Sequence, residues 1–444
     1  MSASSFLRRL FGRANGEIHQ QTQRLVSLCE SLLSEHGEIT GVALAREALG
    51  CYQTLGERER EEFFDVLAKT FSPSPDVVGR AADAYRADPI PENLIRLQDS
   101  AESLRPELFR RLNAAPGATA ALVEMRRLIL EGIAAHPQWK VIDNDLLKLL
   151  RSWFNRGFLR MQRIDWHTPA IVLEKLMQYE AVHALQGWGD LRRRLEADRR
   201  CFAFFHPQLP DEPLVFIEVA LTRGMSARVQ PLLEVGSSVS SGDEADSAMF
   251  YSITNCQDGL RGISFGNLLI KQVAEELKRE VPQLRTFATL SPIPGFRRWL
   301  EESRARLAIG PQGEERVALL QRIEERGWHE AAVSEPLASL LLQLCAWYLM
   351  HQKHGAEPSD RVARFHLGNG AALERLNWLG DTSVSGLARS AGIMANYVYR
   401  LAEVERNHDR YFRQHVVVAS RAVTKLARDC PLAALASADA QPGS

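Results

Sequence analysis

Leu214-Val215-Phe216-Ile217-Glu218-Val219-Ala220-Leu221, bounded by Pro213 and Gly224, is a short and almost wholly apolar run. Eight residues rich in β-branched and aromatic types between turn formers predict a strand buried on both faces. Downstream, Met249 to Thr254 and Arg285 to Leu290 read the same way. Between them Phe265, Leu269, Val273 and Leu277 share one face of a helix predicted from about Phe265 to Glu280. Strand, helix, strand is the unit of an α/β layer. Further helices are predicted around Glu315 to Glu325, Glu335 to Gln352 and Ala371 to Leu379, with a last one from about Asp409 to Ala427.

Upstream of Arg200 the pattern is different. From about Glu17 to Trp188 apolar residues keep helical spacing: Leu25, Cys29 and Leu32 form one stripe, Leu122, Met125, Ile129 and Gly132 another, and Leu146, Leu149, Leu150 and Phe154 a third. Pro and Gly punctuate the stripes at Pro73 to Pro75, Pro89 to Pro91 and Pro116 to Gly117, and Thr168-Pro169 reads as an N-cap followed by proline at the first helical position. The expectation is an α-rich, two-domain α+β chain: a helical bundle over residues 1–190, an α/β domain over 191–430, and a disordered tail over 431–444, where Ser437 to Ser444 is small and polar.

Composition narrows the function. The 444 residues are 45% hydrophobic and 25% charged, and 54 Lys plus Arg against 55 Asp plus Glu leave a formal net charge of -1. No global field recruits nucleic acid or an anionic membrane, so an anionic ligand must be held locally. Six cysteines, at 29, 51, 201, 256, 345 and 430, form no Cys-x-x-Cys pair and read as free thiols in a reducing compartment. The most apolar stretch, Leu337 to Met350, is interrupted by Gln343 and falls short of the roughly 18 residues of a membrane span. Met1 to Asn15 carries Arg8, Arg9 and Arg13 among Phe6, Leu7, Leu10 and Phe11, which reads as a frayed amphipathic start or a transit peptide.

Three local patterns carry chemistry. After the strand at Met249 to Thr254 comes Gln257, Asp258, Gly259, Leu260, Arg261, Gly262, Ile263, Ser264, Phe265, Gly266 and Asn267. A Gly-rich turn opening a helix brings main-chain N–H groups and the positive helix end to a phosphate, with Arg261 and Lys271 adding charge; it is equally the mark of a tight turn. Its spacing matches neither the dinucleotide fingerprint nor a Walker loop, which argues against NAD and ATP. Ser291-Pro292-Ile293-Pro294-Gly295-Phe296 places a serine at a strand end stiffened by two prolines, fit for catalysis or for capping the next helix. Arg364-Phe365-His366-Leu367-Gly368-Asn369-Gly370 places a histidine before a Gly-rich turn and a helix, and this matters chemically only if it meets Ser291. His351 and His354 lack a third ligand, so no metal is expected.

Several longer stretches then match a known family in order: Trp166 to Ala170, Tyr179 to His183, CFAFFHPQLPDEPLVFIEVALT from Cys201, FYSITNCQDGLRGISFGNLLIKQVAEEL from Phe250, TLSPIPGF from Thr289, ARFHLGNGA from Ala363, LNWLGD from Leu376, and Asn396-Tyr397. The chain resembles the malonyl-CoA decarboxylases over most of its length. The resemblance implies an N-terminal helical bundle that makes homo-oligomer contacts and a catalytic domain of GCN5-type N-acetyltransferase-like fold. It implies CoA held on Gln257, Gly259 and Arg261 to Asn267, with Ser291 and His366 catalytic, and neither cofactor nor metal required. Tyr397 is expected to lend a further hydroxyl. Animal members carry a glutamate where this chain has Ser264, so no carboxylate base is assigned there. With no C-terminal Ser-Lys-Leu, a cytoplasmic location is expected.

Malonyl-CoA can lose its carboxylate unaided by a cofactor because the thioester carbonyl receives the electron pair, so the protein must stabilise an enolate and return a proton. His366 is expected to supply that proton through or beside Ser291 because histidine titrates near neutrality, with Ile293 and Phe296 as apolar walls. The alternatives are an acyl-CoA acyltransferase with Ser291 as nucleophile and His366 as base, and a helical interaction protein without activity.

Overall fold

The computed structural model describes residues 19–34, 36–180, 182–240, 242–263, 269–330 and 335–433. The amphipathic start, Ser264 to Asn267 and the tail from residue 434 onward lie outside these. The chain forms two compact units, one made of residues 1–160, 205–214 and 257–265, the other of 161–204, 215–256 and 266–444.

The first unit is helical as the stripes predict, with Leu25, Cys29, Leu32, Leu122, Met125, Ile129, Leu146, Leu150 and Phe154 buried. Two of its helices are used below, α1 (Ala118–Gly132) and α2 (Lys140–Trp153). A buried Arg105 joins three elements, donating from Nε to Asp145 Oδ2 at 2.8 Å and from Nη1 to the Leu67 carbonyl and Ser72 Oγ. Buried charges persist only when paired in this way. Pro75 and Pro91 occupy first helical positions, where their missing N–H leaves nothing unsatisfied.

The second unit is built on an eight-stranded mixed sheet: β1 (Arg160–Ile164), β2 (Arg199–His206), β3 (Leu209–Thr222), β4 (Ser247–Asn255), β5 (Thr286–Thr289), β6 (Ser291–Pro292), β7 (Ala372–Asn377) and β8 (Met394–Val398). Their order is β1-β2-β3-β4-β5-β8-β6, with β7 on β8. β4 and β5 are parallel and joined by α3 (Leu269–Glu280), as the strand-helix-strand reading requires. Every residue of β3 from Pro213 to Leu221 is buried, which explains its unbroken apolar run.

Four expectations are corrected. Ala371 to Leu379 is not a helix but strand β7, because β8, itself absent from the sequence reading, offers it a ladder from Ala372 to Asn377. The last helix is two, Val404–Gln414 and Arg421–Arg428, since Ser420 caps the second by accepting from Val423 N–H. Thr168 does not cap a helix: its Oγ1 accepts from Asp165 N–H and the next helix starts at Ala170. His366 does not precede a helix. It lies in the last turn of α5 (Arg361–Gly368), which leads into β7, while α4 (Phe296–Leu307) follows the turn after Ser291. Gly370 turns that corner with φ 81, and a Cβ there would meet the Val404 carbonyl oxygen at 2.1 Å.

Candidate active site

The site grows out of a fault in the sheet. β5 follows β4 in register from Ser247↔Thr286 to Phe250↔Thr289, and Leu290 N–H still donates to the Phe250 carbonyl. One residue later the chain leaves β4 and runs on along β8, pairing Ser291 with Ala395 and Pro292 with Met394 in the register that already pairs Ala288 with Val398, while β4 continues beside β3 to Asn255. Two parallel strands thus part company at their carboxyl ends, the place where open α/β sheets receive ligands. Fully buried Asn396 closes the fault, donating to the Thr289 carbonyl at 2.7 Å next to the register shift at Asn396/Tyr397.

A cleft of about 470 Å³ opens at this fork, with Phe250 and Ile253 on one wall, Leu290 and Ser291 on the other, and Phe365 and His366 from α5 above. Ser291 Oγ lies 2.9 Å from His366 Nε2 and donates to Thr289 Oγ1 at 2.8 Å. His366 Nδ1 lies 2.8 Å from the Tyr399 hydroxyl. The Tyr397 ring stacks on the imidazole at 4.7 Å between centroids. The capping contact that competed for Ser291 is not made, for α4 starts at Phe296 behind Gly295.

Asp360 sets the distance between the two chemical elements. It caps α5 by accepting from the Val362 and Ala363 N–H groups at 2.9 Å, and its other oxygen faces Gly295 N–H in the turn after Ser291. Gly295 lies so close to Tyr348 that a Cβ would meet its hydroxyl at 2.2 Å.

Burial decides the electrostatics. His366 is wholly enclosed and its pKa is pushed down to about 3, because charging the ring there forfeits its hydration. Burial likewise holds the Tyr397 and Tyr399 hydroxyls well above their ordinary value. Burial therefore works against the expected titration of His366 near neutrality and favours the neutral ring. Ile293 and Phe296 are not cleft walls either; both are fully buried in the core.

The structure brings Ser291, His366 and Tyr397 together and adds Tyr399. Strand alternation was the available signal, since a residue two along from Tyr397 tends to the same side. Of the remaining candidates, Gln257, Gly259 and Arg261 to Ile263 sit in the helical unit, and Ser264 to Asn267 lie outside the described residues. Gly259 packs on α1, where a Cβ would meet the Val123 carbonyl oxygen at 2.0 Å, and its own carbonyl accepts from Arg126 at 2.7 Å. Gln257 donates to Glu212 and the Pro213 carbonyl. Exposed Arg261 pairs with Asp258, Gly262 has φ 81 and takes a bond from Arg151 on α2, and Ile263 is buried. Lys271 pairs with Glu405.

A neutral Ser-His-Tyr chain in a cleft at diverging strand ends is the equipment of an enzyme that moves a proton without carrying charge into the reaction. Residues 157–437 match the malonyl-CoA decarboxylase C-terminal domain and residues 71–154 the N-terminal domain of the same proteins. The mitochondrial malonyl-CoA decarboxylase of Anser anser anser is 37% identical over 341 residues, covering 71% of this chain and 68% of that protein. The one from Mus musculus is 36% identical over 344 residues, covering 72% and 70%. The crystal structure of malonyl-CoA decarboxylase from Rhodopseudomonas palustris superposes with a TM-score of 0.86 at 48% identity, covering 91% of this chain and 99% of that one. That from Agrobacterium vitis gives 0.84 at 46%, with coverage of 91% and 99%. The chain belongs to the malonyl-CoA decarboxylase family, a family of carboxy-lyases.

Proposed function

We propose that this carboxy-lyase converts malonyl-CoA to acetyl-CoA and carbon dioxide in the cleft between β4 and β5, with the Ser291 hydroxyl as immediate proton donor. The 2.9 Å contact between Ser291 Oγ and His366 Nε2 at the fork carries the reading. The C–C bond to the carboxylate breaks, its electron pair passes into the thioester carbonyl, and an enolate forms. The α-carbon then takes the Ser291 proton. His366 Nε2–H reloads the serine as Tyr399 protonates Nδ1, which leaves the ring in the opposite tautomer; after product leaves, Nδ1–H returns its proton to Tyr399, Ser291 returns one to Nε2, and solvent in the emptied cleft gives Ser291 the one proton consumed overall. The tautomer with hydrogen on Nε2 is assigned from the network: Tyr399 donates to Nδ1, Nε2 donates to Ser291, and Ser291 donates onward to Thr289.

The apolar part of the cleft, Phe250, Ile253, Leu290 and Phe365, favours loss of the carboxylate's charge, and a hydroxyl aimed at the enolate is worth on the order of 3 kcal/mol in a dry site. Beyond Phe250 the β4 edge no longer has β5 as a partner, a gap suited to the amides of a pantetheine arm. The exposed guanidinium of Arg261 and the open turn at Gly262 support assigning Gln257, Gly259 and Arg261 to Asn267 to phosphate binding. An imidazole whose conjugate acid has a pKa of about 3 is a feeble base, which speaks against acyl transfer through a Ser291 nucleophile. Release of carbon dioxide and acetyl-CoA, one for one, from malonyl-CoA alone tests the reading; turnover only with an added acyl acceptor would replace it. A homo-oligomer through the helical domain would cover Ile90, Leu94 and Ile95, exposed around Pro91–Ala101, a helix with no buried residue. A cytoplasmic location completes the reading; among the described residues no helix is long and apolar enough to cross a membrane.

A further inference from the structure

His183 lines the same cleft as Ser291 and His366 but takes no part in their hydrogen-bonded chain. Its Nε2 is enclosed and has no hydrogen-bond partner among the described residues. Such atoms are rare, because a buried polar group without a partner costs about 1 to 3 kcal/mol. The surroundings hold it rigidly. Its main-chain N–H donates to Glu180 Oε1 at 2.7 Å, and Glu180 Oε2 takes a bond from Ser252 on β4. Its carbonyl accepts from Arg194 at 3.2 Å, and Arg194 is fixed by buried Glu218. With nothing among the described residues to accept a proton from Nε2, the tautomer assigned to the ring carries its hydrogen on Nδ1. Burial and the Arg194 charge hold the ring neutral, with a pKa near 4. A neutral imidazole with hydrogen on Nδ1 presents a bare lone pair at Nε2.

That lone pair needs a donor. The acyl end of malonyl-CoA has none, as its carboxylate and thioester carbonyl only accept, whereas the pantetheine arm carries two amide N–H groups and, farther from the sulfur, one hydroxyl. We propose that His183 Nε2 accepts a hydrogen bond from a pantetheine amide N–H and so helps hold the substrate in the cleft. This rests on the decarboxylase reading and makes His183 a binding residue. The bond exists in ground and transition states alike, so its loss appears in KM more than in kcat.

The test uses the full-length chain and three substrates: malonyl-CoA, malonyl-S-N-acetylcysteamine, which keeps one amide, and malonyl S-propyl thioester, which has none. His183→Phe fills the ring's space without a nitrogen, and His183→Asn withdraws the acceptor should the first variant not fold. Either is expected to raise KM for malonyl-CoA about 10-fold, the scale for a buried donor left unpaired. The gap from wild type closes with the propyl thioester, and His183→Gln, which restores an acceptor oxygen, recovers most of the loss. The N-acetylcysteamine substrate says whether the amide nearer the sulfur is the one held. A KM within about twofold of wild type, or a gap that persists with the propyl thioester, overturns the inference. Wild-type protein that releases no carbon dioxide refutes the decarboxylase reading instead; calorimetric CoA binding to wild type and His183→Phe then decides the amide contact separately.

Discussion

If Ser291 and His366 act as one proton-moving unit, removing both hurts little more than removing either. Ser291 Oγ is held by Thr289 Oγ1 at 2.8 Å and His366 Nε2 at 2.9 Å, so Ser291→Ala deletes the donor and leaves both neighbours short of a partner. Loss of a positioned acid–base group lowers kcat roughly 100-fold or more. His366→Ala leaves the serine but removes the group that reloads it, for a loss of similar size. Independent effects would multiply to about 10,000-fold, whereas members of one unit combine far less than multiplicatively, so the double variant should stay within about threefold of the worse single one. Stability moves separately: Ser291→Ala leaves two buried atoms short of a partner, at about 1 to 3 kcal/mol each, and Tm should fall by several degrees. The assay is carbon dioxide release at saturating malonyl-CoA, with melting curves for all four proteins. A multiplicative double variant, or a folded single variant within tenfold of wild type, would refute the coupling.

Tyr399→Phe keeps the ring and removes the hydroxyl 2.8 Å from His366 Nδ1; kcat should fall about 10-fold, the value of one buried hydrogen bond in the relay, in the same assay. Because His366 titrates near 3, kcat should show no ionisation near 6.5, and a pH–rate profile from 5.5 to 8.5 checks this. The folded pKa of His366 lies below its unfolded value, so its share of stability is present above about pH 6.5 and is lost as pH falls toward 3, at up to about 1.4 kcal/mol per pH unit. Glu218, raised by burial to about 7, works oppositely between about 4.5 and 7; denaturant midpoints of wild type and Glu218→Gln at pH 7 and 5 separate the two. Arg194→Met strands buried Glu218 and should cost about 3 to 5 kcal/mol in urea unfolding. Ile95→Lys should lower the mass seen by light scattering if the exposed face around it joins subunits.

Hydrophobic spacing alone placed the helical stripes, β3, β4, β5 and α3, because each buries a face whose period is set by its own backbone. Strand-end placement and two prolines marked Ser291, and a run of matching segments pointed to the family. Spacing failed for Ala371 to Leu379, where apolar residues at helical intervals became β7 because β8 supplied main-chain partners that no local propensity encodes. It could not find the contact between Ser291 and His366, 75 residues apart, nor Tyr399 behind the imidazole. Above all, the sequence shows a histidine but not its charge. Only burial in the folded chain strips His366 of water and favours its neutral form, the form that the proposed relay needs.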